Sequence, residues 1–473
     1  MSASEYQAVM GRRNAIMKSA VGLDYSNYES GSLAFDYEGL MAATGLSMQD
    51  VLAVMQDYGV GNTPLLELKN ITALARKYAG PGRGARILVK DEACNPSGYF
   101  KARRAALSVH IAKRLGYKGV ITATSGNYGA AVASCCAKAG LACIVVQECY
   151  DARGIGQPEI VEKARKCEAL GAEVVQLSVG PELFYVFLRL LEDTGYFNAS
   201  LYTPYAIQGV ESLGHELATQ CQGLYGQAPA AVIATNAGGG NLTGTARGMR
   251  KAGCDAPLIA ASVDLSGLHM ASDSQFNRKS FTTGHTGFGM PFTTWPDRSD
   301  VPRSAARPLR YLSRYVTVTQ GEVFYMTEML AVLEGMERGP AGNTSLAAAF
   351  AIAQELPWEA LLVVQETEYT GAGKHQNAQL DFARRQGIDI LTGCPKDQVP
   401  GRTIILPEHP GQLGVKDLDL ARLRRSLISR ALEGAKHPPE ALDLAFLAEE
   451  TGADAAFVAE TIQQLQEEQH ETT

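Results

Sequence analysis

The segment Asn95-Pro96-Ser97-Gly98-Tyr99-Phe100-Lys101 sets a lysine just after a turn and at the start of an amphipathic stretch. A turn of that composition stops the strand before it, and the helix that follows fixes where the amine points. An amine near a helix N-terminus and partly out of water loses stabilisation of its charged form. Lys101 then becomes a nucleophile near neutral pH, able to condense with an aldehyde. A lysine at a helix start is more often an ordinary solvated residue, so the reading depends on what else the chain carries.

Three more segments supply it. Thr235-Asn236-Ala237-Gly238-Gly239-Gly240-Asn241-Leu242-Thr243-Gly244 follows a predicted strand and opens a predicted helix. Consecutive glycines let backbone N–H groups converge on an anion, and a helix N-terminus adds favourable partial charge. The run lacks the ending of a P-loop and the spacing of a dinucleotide fingerprint, so a monophosphate suits it better. Thr124-Ser125-Gly126-Asn127-Tyr128-Gly129 is another strand-to-helix junction, with hydroxyls, an amide and N–H groups suited to a carboxylate. Tyr369-Thr370-Gly371-Ala372-Gly373-Lys374 places a hydroxyl just beyond an apolar strand. Taken singly, each has a plainer explanation as a tight turn or a helix cap. Together, a nucleophilic amine, a phosphate cup and a carboxylate loop point to pyridoxal phosphate and an amino acid.

These segments need elements to hold them. Apolar, β-branched runs predict strands at 86–90, 119–123, 142–147, 173–177, 230–235, 258–263, 315–319 and 361–366. Amphipathic stretches at 102–115, 127–139, 158–170 and 207–222 predict helices between them. The alternation specifies an α/β fold, with parallel sheets flanked by helices. Residues 1–60 read as mostly helical. The segment 265–312 breaks the rhythm as a long Gly-, Pro- and Arg-rich loop, and such loops are usually functional. The end of the chain, from about 415, reads as charged helix.

Composition narrows the class. The chain has 473 residues, 46% hydrophobic and 20% charged, which is ordinary for a globular protein of two or three domains. A net charge of −7 gives no support to a nucleic-acid partner. No apolar run is long enough to span a bilayer, so a cytoplasmic protein is expected. The nine cysteines include no Cys-x-x-Cys pair, and they read as reduced thiols rather than a metal site or a disulfide framework.

The order Asn-Pro-x-Gly-x-Phe-Lys, Ser-Gly-Asn-x-Gly, triple glycine and Thr-Gly-x-Gly resembles the tryptophan synthase β-like group across residues 60–395. That group comprises pyridoxal-phosphate enzymes of fold type II, including threonine synthase, threonine dehydratase and cysteine synthase. The resemblance implies two domains, each with a mostly parallel sheet flanked by helices. A larger cofactor-binding domain would comprise 61–115 and 205–400, with 265–312 inserted, and a smaller mobile domain 116–204. Helical extensions would occupy 1–60 and 401–473. By position, Lys101 would hold the cofactor covalently and Asn127 would contact its 3-hydroxyl. Gly238, Gly239, Gly240, Asn241 and Leu242 would offer backbone groups to its phosphate, and Thr370 would face its pyridine nitrogen. Thr124, Ser125, Gly126 and Tyr128 would lie along the substrate carboxylate loop. No metal is implied.

Within that group the chain resembles the β subunits of 2-amino-4-oxopentanoate thiolase. The blocks that carry this resemblance are Lys90–Gly98, Gly154–Ile160, Val174–Tyr185 and Ala234–Gly244, with Arg12–Lys18 and Val21–Tyr25 near the N-terminus. It implies cleavage of 2-amino-4-oxopentanoate by coenzyme A to acetyl-CoA and alanine, the D form in the family, in ornithine breakdown. It implies a small α subunit as partner, and a homodimer of this chain within the complex is expected. The competing expectation is a lyase or β-replacement enzyme that works without coenzyme A. Two features stay open at this level. Tyr99 stands where the broader group has a small residue, and would crowd the cofactor, supply a hydroxyl or point into the core. Arg278, Arg298, Arg303, Arg307, Arg310 and Arg314 offer a landing surface for coenzyme A phosphates or are solvated surface groups, and His285 is a speculative proton donor.

Overall fold

The computed structural model describes residues 3–124, 126–180, 182–265, 275–282, 301–369, 376–435 and 437–471. Each of the eight predicted strands is present, most within a residue or two of the expected bounds. Seven strands form one sheet, in the spatial order Leu65–Glu67, Arg86–Asp91, Leu361–Glu366, Ala231–Thr235, Leu258–Val263, Leu312–Val318 and Lys416–Asp417. The five inner strands are parallel, and the two short outer ones pair antiparallel. Leu361–Glu366 and Leu258–Val263 are buried along their whole length, as expected for strands covered by helices on both faces. A second sheet of four parallel strands runs Glu173–Ser178, Ala142–Tyr150, Gly119–Thr124 and Phe197–Asn198. A third, two-stranded pairing joins Asp389–Thr392 to Thr403–Leu406.

The strands that were not predicted have two to four residues, too short for a period to register. The strand expected at 315–319 begins earlier, at Leu312, because its first half is a more exposed, polar continuation. Helix near the C-terminus begins at Leu420, and what precedes it is turn and short strand. No helix among the described residues is long and apolar enough to cross a membrane.

The helices Ala102–Arg114 and Pro204–Tyr225 run through the main core, and ten of the thirteen residues in the first are buried. Burial of that kind normally excludes charge, yet Arg103 is among the largest fully buried side chains. Its Nε and Nη2 donate to the two oxygens of Glu92 at 2.7 and 2.8 Å, and its Nη1 donates to Glu216 at 3.0 Å. Lys90, equally buried, donates to Thr63 O at 2.5 Å and pairs with Glu216. Glu92 also accepts from Asn95 Nδ2 at 2.9 Å, and Asn95 Oδ1 accepts from Gly61 N at 2.9 Å. The turn that presents Lys101 is thereby tied to a strand, two helices and the 61–63 loop.

The terminal helices join the same core. Asp443 accepts from the N–H groups of Leu33 and Ala34 at 2.7 and 3.0 Å, and Tyr37 stacks on Phe446 with ring centroids 6.4 Å apart.

Removal of one partner from a buried ion pair leaves the other desolvated and uncompensated. Arg103→Met should therefore cost about 3–5 kcal/mol of stability. Arg103→Met with Glu92→Gln should recover part of that loss. Chemical denaturation of the two variants measures it. Equal stability of Arg103→Met and wild type would remove the network from its structural role.

Candidate active site

Three adjacent parallel strands end at one edge of the large sheet. Leu361–Glu366 lies between Arg86–Asp91 and Ala231–Thr235, so its neighbours in sequence order are not its neighbours in space. Ligands of open α/β sheets bind where strand order switches in this way, beyond the carboxyl ends of the strands. The Lys101 turn follows the first of these strands, the glycine run the second and Thr367–Tyr369 the third. Thr367–Tyr369 pairs with the lysine turn, through Phe100 N to Thr367 O at 3.1 Å and Tyr369 N to Gly98 O at 2.9 Å. The Gly119–Thr124 strand of the smaller sheet brings the Thr124–Asn127 junction to the same place, where Asn127 Nδ2 donates to Glu368 Oε2.

Lys101 occupies the N-cap position of the Ala102–Arg114 helix. Its pKa is pushed down to about 8, first by burial and then by repulsion from Arg104 and Lys163, with Glu368 acting in the opposite sense. Desolvation follows from the local sequence, whereas the two cations are brought close by the fold.

At Gly238 and Gly240 the glycine run has no room for a side chain. Gly239 has φ +79°, in the left-handed region, and caps the helix Gly240–Lys251. A Cβ on Gly238 would stand 1.8 Å from the Tyr202 hydroxyl, and one on Gly240 would stand 2.9 Å from Nη2 of Arg104. The first N–H groups of the helix have no partner within it. Asn241 is buried, and both of its amide atoms lack a hydrogen bond. Leu242 is fully buried in the main core. Arg104, which was not anticipated, lines the same place. A second arginine next to Arg103, before the apolar run Ala105–Leu107, was the signal available for it.

At the carboxylate loop, Thr124 Oγ1 accepts from Gly126 N at 3.0 Å. Asn127 keeps Oδ1 buried and unpaired. Tyr128 points its side chain wholly into the main core, so it offers the loop only its backbone. Ser125 and Thr370 lie outside the described residues. Glu368 was not anticipated either. It is buried, and its pKa is raised, first by burial, while Lys163 and Asn127 pull it back. Burial alone would lower the pKa of Lys163, but Glu159 and Glu368 hold it up.

Tyr99 is a core residue. It is 3% exposed, with the Lys166 ammonium 4.6 Å from its ring centroid. The same ammonium donates to Ser97 O at 2.6 Å. Of the arginines read as either a coenzyme A surface or solvated groups, Arg278 is exposed and four others contact other parts of the chain. Arg307 pairs with Glu450 and Arg310 with Glu449. Arg314 bonds Asp417 at 2.6 Å and Glu355 at 2.7 Å, and Arg303 lies over the Phe35 ring at 5.3 Å. Arg298, His285 and the rest of Gly284–Pro291 fall outside the described residues.

The residues fit pyridoxal phosphate. A low-pKa amine is repelled by Arg104, Arg104 packs on Gly240 of the glycine run, and buried polar atoms of Asn127, Asn241 and Arg104 lack partners.

Comparison with known proteins agrees. The family model described as "Pyridoxal-phosphate dependent enzyme" matches residues 56–366. The chain is 66% identical over 463 residues to a 2-amino-4-ketopentanoate thiolase beta subunit from Acetoanaerobium sticklandii, covering 97% of this chain and 98% of that one. It is 63% identical over 465 residues to another protein of that name from an unknown prokaryotic organism, covering 98% of each. Threonine synthase of Halalkalibacterium halodurans is 31% identical over 195 residues, 41% of this chain and 49% of that one. Among solved structures, maize serine racemase shares the fold at a TM-score of 0.53 and 21% identity, covering 69% of this chain and 95% of its own. A solved threonine deaminase matches at a TM-score of 0.51 and 26% identity, covering 68% of this chain and 98% of its own.

The amine of Lys101 should titrate far below an exposed lysine. As pH rises through about 8 the ammonium loses its proton and the nucleophilic fraction grows. Reductive methylation of the cofactor-free chain, followed at Lys101 by mass spectrometry, should show that midpoint. A rate that keeps climbing through about pH 10, the ordinary lysine range, would contradict it.

Proposed function

We infer the reaction from the family to which the chain belongs, the pyridoxal-phosphate-dependent enzymes, and within it the 2-amino-4-ketopentanoate thiolase β subunits. The chain splits 2-amino-4-ketopentanoate, the same compound as 2-amino-4-oxopentanoate, with coenzyme A to give acetyl-CoA and alanine. The observation that carries this reading over a lyase is near-full-length similarity to curated thiolase β subunits. The active-site geometry supports the same cofactor.

Bound pyridoxal phosphate supplies an electron sink for negative charge that develops next to the substrate's amine-bearing carbon. Lys101 holds the cofactor through its amine and is placed to take and return a proton at Cα. Its depressed pKa keeps an unprotonated fraction available for that work. The thiol sulfur of coenzyme A bonds to C4 as the C3–C4 bond breaks. The thiol proton is matched by the one that C3 gains, so the sum is acetyl-CoA and alanine. Glu368 fixes the amide of Asn127, which leaves its remaining N–H for the cofactor's 3-oxygen. The backbone of Gly238–Leu242 receives the phosphate, and Thr124, Ser125 and Gly126 receive the substrate carboxylate. Thr370, a neutral hydroxyl, serves the pyridine nitrogen and leaves the ring a milder sink than a carboxylate would.

The name "beta subunit" of the relatives implies an α subunit, and we include it as the partner, with a homodimer of this chain. The domain division of the sequence reading belongs to this proposal, with 116–204 as the part that moves against 61–115 and 205–400.

The test is turnover of 2-amino-4-oxopentanoate with coenzyme A, with and without the small subunit. Acetyl-CoA and alanine should appear in equal amounts. Lys101→Ala should lose the visible absorption of the bound cofactor and reduce kcat by about 10²–10⁴-fold, the usual range for a positioned acid–base group. Ammonia and an oxo acid from a hydroxyamino acid, without coenzyme A consumption, would replace the thiolase reading with a lyase.

A further inference from the structure

Arg103 and Arg104 are consecutive and both buried, but their charges are handled differently. Arg103 is enclosed by Glu92 and Glu216. Arg104 is 3% exposed, and no carboxylate among the described residues pairs with it. Its Nη1 donates to Leu201 O at 3.1 Å, and its Nε has no partner. The Phe100 ring covers it, with the guanidinium carbon 5.4 Å from the centroid. A buried cation without a counter-charge is unfavourable. Lys101, a second basic group, lies close enough to be repelled by it.

The direction of the guanidinium explains why it is tolerated. Nη2 and Nη1 stand 2.9 and 3.0 Å from where a Cβ on Gly240 would be. They therefore pack against Gly240, beside Ile207 Cδ1, at the N-terminus of the twelve-residue helix Gly240–Lys251. Asn241, buried at the same point, leaves both amide atoms unpaired. Backbone N–H groups there give direction but no net charge. A guanidinium adds a full positive charge and a planar fork matched to phosphate.

We propose that Arg104 is a phosphate ligand of the cradle, neutralising the cofactor's phosphate while the Gly238–Leu242 backbone positions it. This rests on the pyridoxal-phosphate reading of the site, and adds a residue that neither the glycine motif nor the family match assigns. It has a second consequence. The cofactor-free chain carries an uncompensated charge that the bound phosphate relieves, so Arg104 couples cofactor binding to stability.

The experiment compares wild type, Arg104→Met and Arg104→Lys as full chains freed of cofactor. Each is titrated with pyridoxal phosphate and with pyridoxal, which lacks the phosphate, and bound ligand is followed by its absorption. Arg104→Met should weaken pyridoxal phosphate by about 10- to 100-fold more than it weakens pyridoxal, whose loss reflects only the greater proton affinity of Lys101 once Arg104 is gone. Arg104→Lys should fall between. Pyridoxal phosphate should raise the melting temperature of wild type more than that of Arg104→Met. Equal weakening of both ligands, or unchanged affinity for both, would overturn the proposal. If Arg104→Met does not fold, Arg104→Lys decides by the same selectivity. Inorganic phosphate separates this proposal from the cofactor reading. Failure of wild type to bind pyridoxal phosphate would end that reading. Phosphate that raises the melting temperature of wild type but not of the variant would still uphold the anion site, and no effect on wild type would overturn it.

Discussion

The buried pairing of Arg103 with Glu92 and Glu216 is the constraint on which the site depends. Two charges in a core are stable only when geometry is specific, because each must replace the water it lost. That requirement fixes more than a helix. Glu92 belongs to the segment just after the Arg86–Asp91 strand, Glu216 to the Pro204–Tyr225 helix, and both share their oxygens with other groups. Glu216 also accepts from the N–H groups of Asn62 and Thr63 at 2.8 Å. A shift of the Lys101 turn would break several charge-assisted bonds together. The lysine is held in register by its neighbour two positions on.

The same helix then uses its next residue differently. Arg103 is neutralised by protein groups, and Arg104 is left for a ligand. The glycines of the cradle follow from that choice. Gly240 must lack a Cβ because the guanidinium occupies the space, and Gly238 must lack one because the Tyr202 hydroxyl does. The glycine run is thus shaped by side chains from other elements as well as by the left-handed backbone at Gly239. Electrostatics connects the parts. Arg104 and Lys163 both repel a proton from Lys101, so the charge arrangement that suits an anion also keeps the amine reactive.

Much of the fold was legible because the inner strands are apolar along their length and the helices between them are amphipathic. The strand Leu258–Val263 and the strand Leu361–Glu366 were read with their observed bounds. Two-residue strands such as Phe197–Asn198 carry no period, and only pairing in space defines them. In the site, Lys101 and the glycine run were legible because local turn chemistry marks them. Glu368 was not, since nothing local distinguishes it, and Arg104 gave only the faint signal of charge repeated before an apolar run. Glu368 matters because its strand extension pairs with the lysine turn and faces Asn127 of the other sheet. The arginines near 303–314 illustrate the converse. Their clustering in sequence allowed one shared anion surface, while the fold sends them to Glu450, Glu449, Glu355, Asp417 and Phe35.

The two sheets share an apolar core, in which Val120 and Val145 of one join Leu88 and Val232 of the other, and polar contacts join their flanking segments beside it. Asn127 meets Glu368, Lys166 meets Ser97 O, Gln157 meets Ser280 O, and Gln379 Nε2 meets Glu159 at 2.9 Å. Each of these polar bonds can exchange its partner for water at small net cost, unlike the shared apolar packing. Several of these bonds involve the groups that set the charge around Lys101. Glu159 holds Lys163, Lys163 acts on Lys101, and Glu368 acts on both. Separation of the two sheets would therefore change more than access. It would remove Lys163 and Asn127 from Glu368, leave the amine of Lys101 with less repulsion, and raise its affinity for a proton. The groups that tie the two sheets together beside the site are thus among those that ready the lysine.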